Sequence, residues 1–206
     1  MGFYDRHILP RLIGCACGAK PIAKQRAKIT PEASGVVLEL GFGSGLNLPF
    51  YDPGKVTRVI AVEPSEGMVA QAQVAIAASP IPVEVRLEGA ESLSVPDQSV
   101  DTVLITYTLC TVPDAPGALH AARKALKPGG KLLFCEHGLA PDPKVARFQT
   151  RLEPLWSRIA GGCRLTRDAP SLIAAAGFRL TRTETMYLPG TPRWAGFNAW
   201  GEALPI

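Results

Sequence analysis

The chain has 206 residues, 47% of them apolar and 19% charged, with a formal net charge of +4. That length suits one well-buried α/β domain and is short for two. The mild, scattered positive charge lacks the basic stripe with interleaved aromatics of a nucleic-acid binder, so none is expected as a partner. The five cysteines (Cys15, Cys17, Cys110, Cys135 and Cys163) are odd in number and include no C-x-x-C pair. They indicate neither a zinc site nor a disulfide framework, and they suit a reduced, cytoplasmic compartment. Asp5 and Pro10 interrupt the first apolar segment, and no apolar run reaches the roughly 18 residues of a membrane span. Stable membrane insertion is therefore not expected, and the basic charge leaves room for peripheral contact with an acidic surface.

Residues 3–29 read as one or two helices broken at Pro10 and Pro21. "GVVLEL" reads as a fully buried strand, "VTRVIAVEP" as a second, and Ser65 as the N-cap of a helix over "EGMVAQAQVAIAA". "IPVEVRLEG" and "SVDTVLITYT" are the third and fourth strands. "APGALHAARKALKPGG" is a helix stopped by Pro-Gly-Gly, and "KLLFCEH" is the fifth strand. Strands alternating with helices, and apolar enough to be covered on both faces, predict a parallel α/β sheet. After His137 come two helices, "PKVARFQTRLEPLWSRIAGG" and "RDAPSLIAAAG", the second with Asp168 as its N-cap. The strands "FRLTRTETMYL" and "GFNAWGEAL" should pair antiparallel. One domain over 1–206 is expected: a helical cap at 1–33, an α/β half at 34–138, and further helices with a C-terminal hairpin at 139–206.

The first strand runs straight into Gly41, Gly43 and Gly45. Alternate glycines let the backbone turn tightly and approach a ligand with no Cβ in the way, at the sheet edge where ligands bind in open α/β folds. A dinucleotide fingerprint needs its third glycine at position 46, which is leucine. Glu39, inside the apolar "VLELG", is expensive to bury unless a positive group such as a sulfonium or an ammonium offsets it.

"ELGFGSG" resembles the E/D-x-G-x-G-x-G signature of class I S-adenosylmethionine-dependent methyltransferases. The resemblance implies a Rossmann-like fold, with a mostly parallel seven-stranded sheet, an antiparallel C-terminal strand and helices on both faces. It also implies S-adenosylmethionine as donor, with S-adenosylhomocysteine as product. By the same resemblance the donor would be held by Glu39, Gly41, Gly43, Gly45, Asn47 and Thr106. Glu63 would hold the ribose hydroxyls, Met68 would pack on adenine, and Ala90 and Glu91 would cap the adenine edge. "EHG", "PLW", "GCRLTRD" and "GFNAWG" in the last third are similar to bacterial relatives of the human alkyl-thiol methyltransferases, whose human members begin with a hydrophobic membrane anchor.

Methyl transfer from a sulfonium is an in-line displacement, so positioning does most of the work and a base is needed only for acceptors that must lose a proton. Tyr107, Thr108, Cys110, Glu136 and His137 fall near the ends of the fourth and fifth strands. His137 is the candidate base, since imidazole titrates near neutrality, and Tyr107 is its companion. Cys110 and Cys135 suit apolar packing. No metal is expected. The expected acceptor is a small molecule, a thiol first and a phospholipid amine, quinone or phenol second. A donor-sensing module without catalysis and a nicotinamide oxidoreductase are the readings from other classes.

Overall fold

The structure, a computed structural model, describes residue 14 and residues 17–206. The expected helix over 3–29 is seen as α1, Lys20–Ile29; its earlier part lies largely outside the described residues. Seven strands follow: β1 Gly35–Leu40, β2 Val56–Val62, β3 Val83–Arg86, β4 Val100–Thr106, β5 Leu126–His137, β6 Phe178–Tyr187 and β7 Phe197–Pro205. They form one sheet in the order β3-β2-β1-β4-β5-β7-β6. β7 runs antiparallel to both of its neighbours, and every other pairing is parallel.

The strands are apolar on both faces because two separate cores use alternate residues. Leu38, Leu40, Ile60, Val62, Val103, Ile105, Leu132 and Phe134 face one core. Val37, Val59, Ala61, Leu104, Leu133 and Cys135 face the other. The first core is closed by α3, Ala115–Ala125, whose small residues Ala115, Ala118, Ala122 and Ala125 recur along its buried face. Asp114 caps that helix, accepting from Gly117 N at 2.9 Å. The second core receives Ile29 from α1 and Ala72 from α2, Glu66–Ala78. Ser65 caps α2 as its sequence predicts, accepting from Met68 N at 3.3 Å.

Two local expectations are corrected. Pro-Gly-Gly does not end α3. The helix stops at Ala125, and residues 127–130 bulge out where the β4–β5 register shifts between Val100 and Thr102. Proline has no N–H for the ladder, so a bulge is where a strand tolerates it. Asp168 does stand at the N-cap of α5, Ala169–Ala175, but its carboxylate accepts from Ser171 Oγ and makes no bond to a backbone N–H.

Chain order reverses at β1, which has β2 on one side and β4 on the other. A crevice opens beyond the carboxyl ends of two such strands because their connections leave in opposite directions. Here those ends are Leu40 and Thr106, and the glycine turn and Tyr107 follow immediately. Beyond β5 lie α4, Pro143–Ile159, and α5, and the one-turn helix Arg193–Gly196 joins β6 to β7. No helix among the described residues is long and apolar enough to cross a membrane.

Candidate active site

Gly41, Gly43 and Gly45 have φ of +71°, +59° and +76°, a region that side-chain-bearing residues rarely adopt. Gly41 also packs so closely on Thr108 that a Cβ could not fit. The turn that results is fastened to β2: Gly43 N donates to Glu63 Oε2 and Ser65 N to Glu63 Oε1, each at 2.9 Å. Burial pushes the Glu63 carboxyl up, and the two backbone N–H bonds pull against it without cancelling the rise.

A cleft of about 570 Å³ lies over this turn. Of the residues singled out in the sequence, Gly41, Gly43, Glu63, Met68, Ala90, Glu91, Thr106 and Tyr107 stand on its wall. Glu39, Gly45 and Asn47 do not; they form the layer beneath. Glu39 is 1% exposed, and its direct partners are neutral: Asn47 Nδ2 donates to Oε1 at 2.8 Å and Tyr51 OH to Oε2 at 2.6 Å. Asn47 passes the chain on, accepting from Arg26 Nη1 at 2.9 Å, and Arg26 Nη1 also donates to Thr106 Oγ1 at 2.5 Å.

Burial pushes the Glu39 carboxyl up to about 7, against the bonds from Tyr51 and Asn47 and the charge of Arg26. Its unfolded value is about 4.3, so the folded chain binds the extra proton between these limits and loses stability as pH rises through them. The stability of wild type relative to Glu39→Gln should therefore fall by about 3–4 kcal/mol from acid to mildly alkaline pH. Denaturant midpoints across that range check this, and a constant difference would show that folding leaves the Glu39 pKa unshifted.

Tyr107 has φ +55°, and its ring is held from several sides. Its OH donates to Asn198 Oδ1 on β7 at 2.6 Å, the Arg26 guanidinium lies 5.2 Å from the ring centre, and its N–H donates to Cys135 O at 2.9 Å. The next turn is pinned by Glu136, whose Oε1 accepts from Thr108 N at 2.7 Å and from Leu109 N at 3.2 Å. His137 is not on the cleft wall. Its ring stacks behind Tyr107, 6.4 Å between centres, with Nε2 3.3 Å from Cys163 Sγ, beside a separate recess of about 10 Å³. Hydrogen bonds to Cys110 and His137 hold the Cys163 thiol well below its ordinary range despite burial. Burial lowers the His137 pKa, but the bond and charge of Cys163 outweigh it and raise it overall.

Sequence reasoning missed Arg26, Tyr51 and Asn198. Arg26 is one of four cations from Lys20 to Lys28, and nothing in the spacing marks it as the one that turns inward, only 6% exposed.

Residues 38–134 match the family described as a methyltransferase domain. The fold and this glycine-floored cleft are those of the class I S-adenosylmethionine-dependent methyltransferases. The chain is 34% identical over 174 residues to thiol S-methyltransferase TMT1B of Rattus norvegicus, covering 82% of this chain and 70% of that one. Human TMT1B is 36% identical over 180 residues, 84% and 72% of the two chains. A Thermotoga maritima structure described as a possible histamine N-methyltransferase superposes with a TM-score of 0.65 at 21% identity, over 97% of this chain and 96% of that one. The chain belongs to the same S-adenosylmethionine-dependent methyltransferase family as the TMT1 proteins.

The wall fits that donor. The floor at Gly43 would lose its free space to a Cβ, and each Glu63 oxygen that already takes one N–H retains a lone pair for a hydroxyl.

Proposed function

We propose that the chain methylates a small thiol, with the donor held by Gly41, Gly43, Glu63, Met68, Ala90 and Glu91. S-Adenosylmethionine supplies an already activated methyl group, and the residues of the chain bind, orient and exclude water. Glu63 takes the ribose hydroxyls. Arg26, on the cleft wall with a buried Nε that has no partner among the described residues, offers the donor's carboxylate a cation. Glu63→Ala should weaken donor binding by about 1.5–3 kcal/mol, the range for hydrogen bonds to a charged group. Turnover at saturating donor should fall much less. Calorimetry and steady-state rates together check this; collapsed turnover with intact affinity would remove Glu63 from the ribose.

The observation that carries the thiol assignment is the lack of a free base at the acceptor end, among the described residues. The wall there is formed by Cys17, Thr111, Val112, Pro113 and Gly161 around Tyr107. The Tyr107 hydroxyl is committed to Asn198, burial pushes its pKa well above the ordinary value, and His137 is turned to Cys163. A thiol, with a reference pKa near 8.5, supplies its own anion at neutral pH and suits such a wall, whereas an alcohol does not. The identity with TMT1B supports the same acceptor. The reading places the reaction in the cytoplasm, with no nucleic acid involved.

Two apolar thiols of different pKa should give pH–rate profiles that each follow the thiol's own ionisation. Tyr107→Phe should lower the rate by less than about tenfold, below the usual range of a general base, without moving either profile. A profile indifferent to acceptor pKa would return the reaction to base catalysis. Methylation of a phospholipid amine, quinone or phenol with no thiol turnover would pass the assignment to that acceptor.

A further inference from the structure

Cysteines that look scattered in the sequence converge in the fold. Cys110 lies in the turn after β4, His137 ends β5, and Cys163 follows α4. One ligand atom from each lies within 4.8 Å of the other two, with Cys163 Sγ and His137 Nε2 at 3.3 Å. Cys110 and Cys163 are 3% and 9% exposed, and both are free thiols.

The backbone around the three is fastened independently of them. Arg164 N donates to Cys110 O at 2.9 Å, tying the two cysteine segments together. The Arg167 guanidinium donates to the carbonyls of Leu109 and Val112, on either side of Cys110. Next to His137, Glu136 is 1% exposed, and its Oε2 has no partner among the described residues. A buried carboxylate oxygen without a donor is costly, and a nearby cation offsets it.

We propose that Cys110, His137 and Cys163 bind one divalent transition-metal ion of borderline softness, zinc foremost. Two thiols and an imidazole select zinc over magnesium or calcium, which prefer oxygen. Zinc–sulfur bonds of about 2.3 Å and zinc–nitrogen bonds of about 2.0–2.1 Å in a tetrahedron put S and N about 3.5 Å apart and the two sulfurs about 3.8 Å apart. The three atoms lie within small side-chain rotations of those separations. On binding, two S–Zn bonds and one N–Zn bond form, and the proton of the Cys110 thiol and the one shared by Cys163 and His137 leave to solvent. Three protein ligands leave a fourth position for water or another small ligand, the pattern of zinc sites that are not purely structural. The site stands behind Tyr107, and the proposal does not depend on which acceptor the cleft takes.

The test is the full-length chain, expressed with zinc in the medium and purified without chelator. Elemental analysis should find about one zinc per chain. After stripping, cobalt(II) added alone should give thiolate-to-cobalt charge transfer in the near ultraviolet and intense visible bands of a tetrahedral sulfur-ligated ion. Cys163→Ser and His137→Ala should each cut zinc retention at least about tenfold, the least that even disturbing a ligand's hydrogen-bond partner costs, while His120→Gln, an exposed histidine on α3, retains it. Donor binding, read separately by calorimetry, reports whether each variant is folded. Wild-type chain that binds donor yet carries no zinc and gives no cobalt spectrum overturns the proposal. So does a mass lower by two hydrogens with Cys110 and Cys163 in one cross-linked peptide, which would make the pair a disulfide.

Discussion

Arg26→Met is expected to destabilise the fold by about 3 kcal/mol, the scale on which removing one partner of a buried charged network is felt. The arginine is 6% exposed and bonds Asn47 and Thr106, and Asn47 in turn bonds Glu39. Methionine fills much of the volume but donates nothing, so Asn47 Oδ1 is left with only Thr30 Oγ1 at 3.3 Å. The charge of Arg26 is one of the influences that lower the Glu39 pKa, so its loss raises that pKa above about 7. A folded pKa that is raised further makes ionisation more costly, so the defect should deepen as pH rises past neutrality and shrink below it. Donor affinity should fall as well, because the same guanidinium lies on the cleft wall. Urea midpoints at mildly acid and mildly alkaline pH test the first claim and calorimetry the second. A loss under about 1 kcal/mol, the value of an ordinary neutral hydrogen bond, would show that the network is not held by its cation.

Gly43→Val is expected to abolish measurable donor binding while leaving a folded chain. Two effects act together. At φ +59° a β-branched residue is held in a conformation that costs about 1–3 kcal/mol. A Cβ there would also come within 3.2 Å of Met68 Cε, on the cleft wall where the donor is to lie. If the turn relaxes to relieve the strain, Gly43 N leaves Glu63 and the carboxylate loses its orientation. Circular dichroism and thermal unfolding should show a native fold, and titration with donor should show no saturable heat. Unchanged affinity in a folded variant would remove the glycine turn from the donor site.

The strands, the glycine turn and the cap at Ser65 were legible because each is written in contiguous residues: an apolar run, an alternate spacing, a polar residue before a helix. That Glu63, Met68, Ala90 and Glu91 line one cleft was legible because the order of motifs survives whatever the intervening loops do. Glu39 was half legible: its burial followed from its neighbours, but its partners did not, since Tyr51 and Asn47 reach it only once the turn has folded back. Arg26 was silent because which of several cations turns inward depends on how α1 lies against β5 and β7. His137 could be placed at a strand end but not aimed. Its direction is set by Cys163, 26 residues away on a segment whose path no local pattern announces. The cysteine cluster was hidden for the same reason.

The order β5-β7-β6 has a consequence for how the chain folds as it is made. β6 precedes β7 in the chain, yet β7 is the strand that joins it to the sheet. Until Phe197–Pro205 has left the ribosome, β5 presents an open edge and β6 has no ladder partner among the described strands. Unpaired edges of this kind are where nascent chains associate wrongly. The long-range antiparallel insertion is also the slow kind of contact to form. Tyr107 gains its Asn198 anchor only at that step. The cleft is thus completed only when β7 has joined the sheet, and chaperone dependence should be concentrated in the interval between β6 and β7.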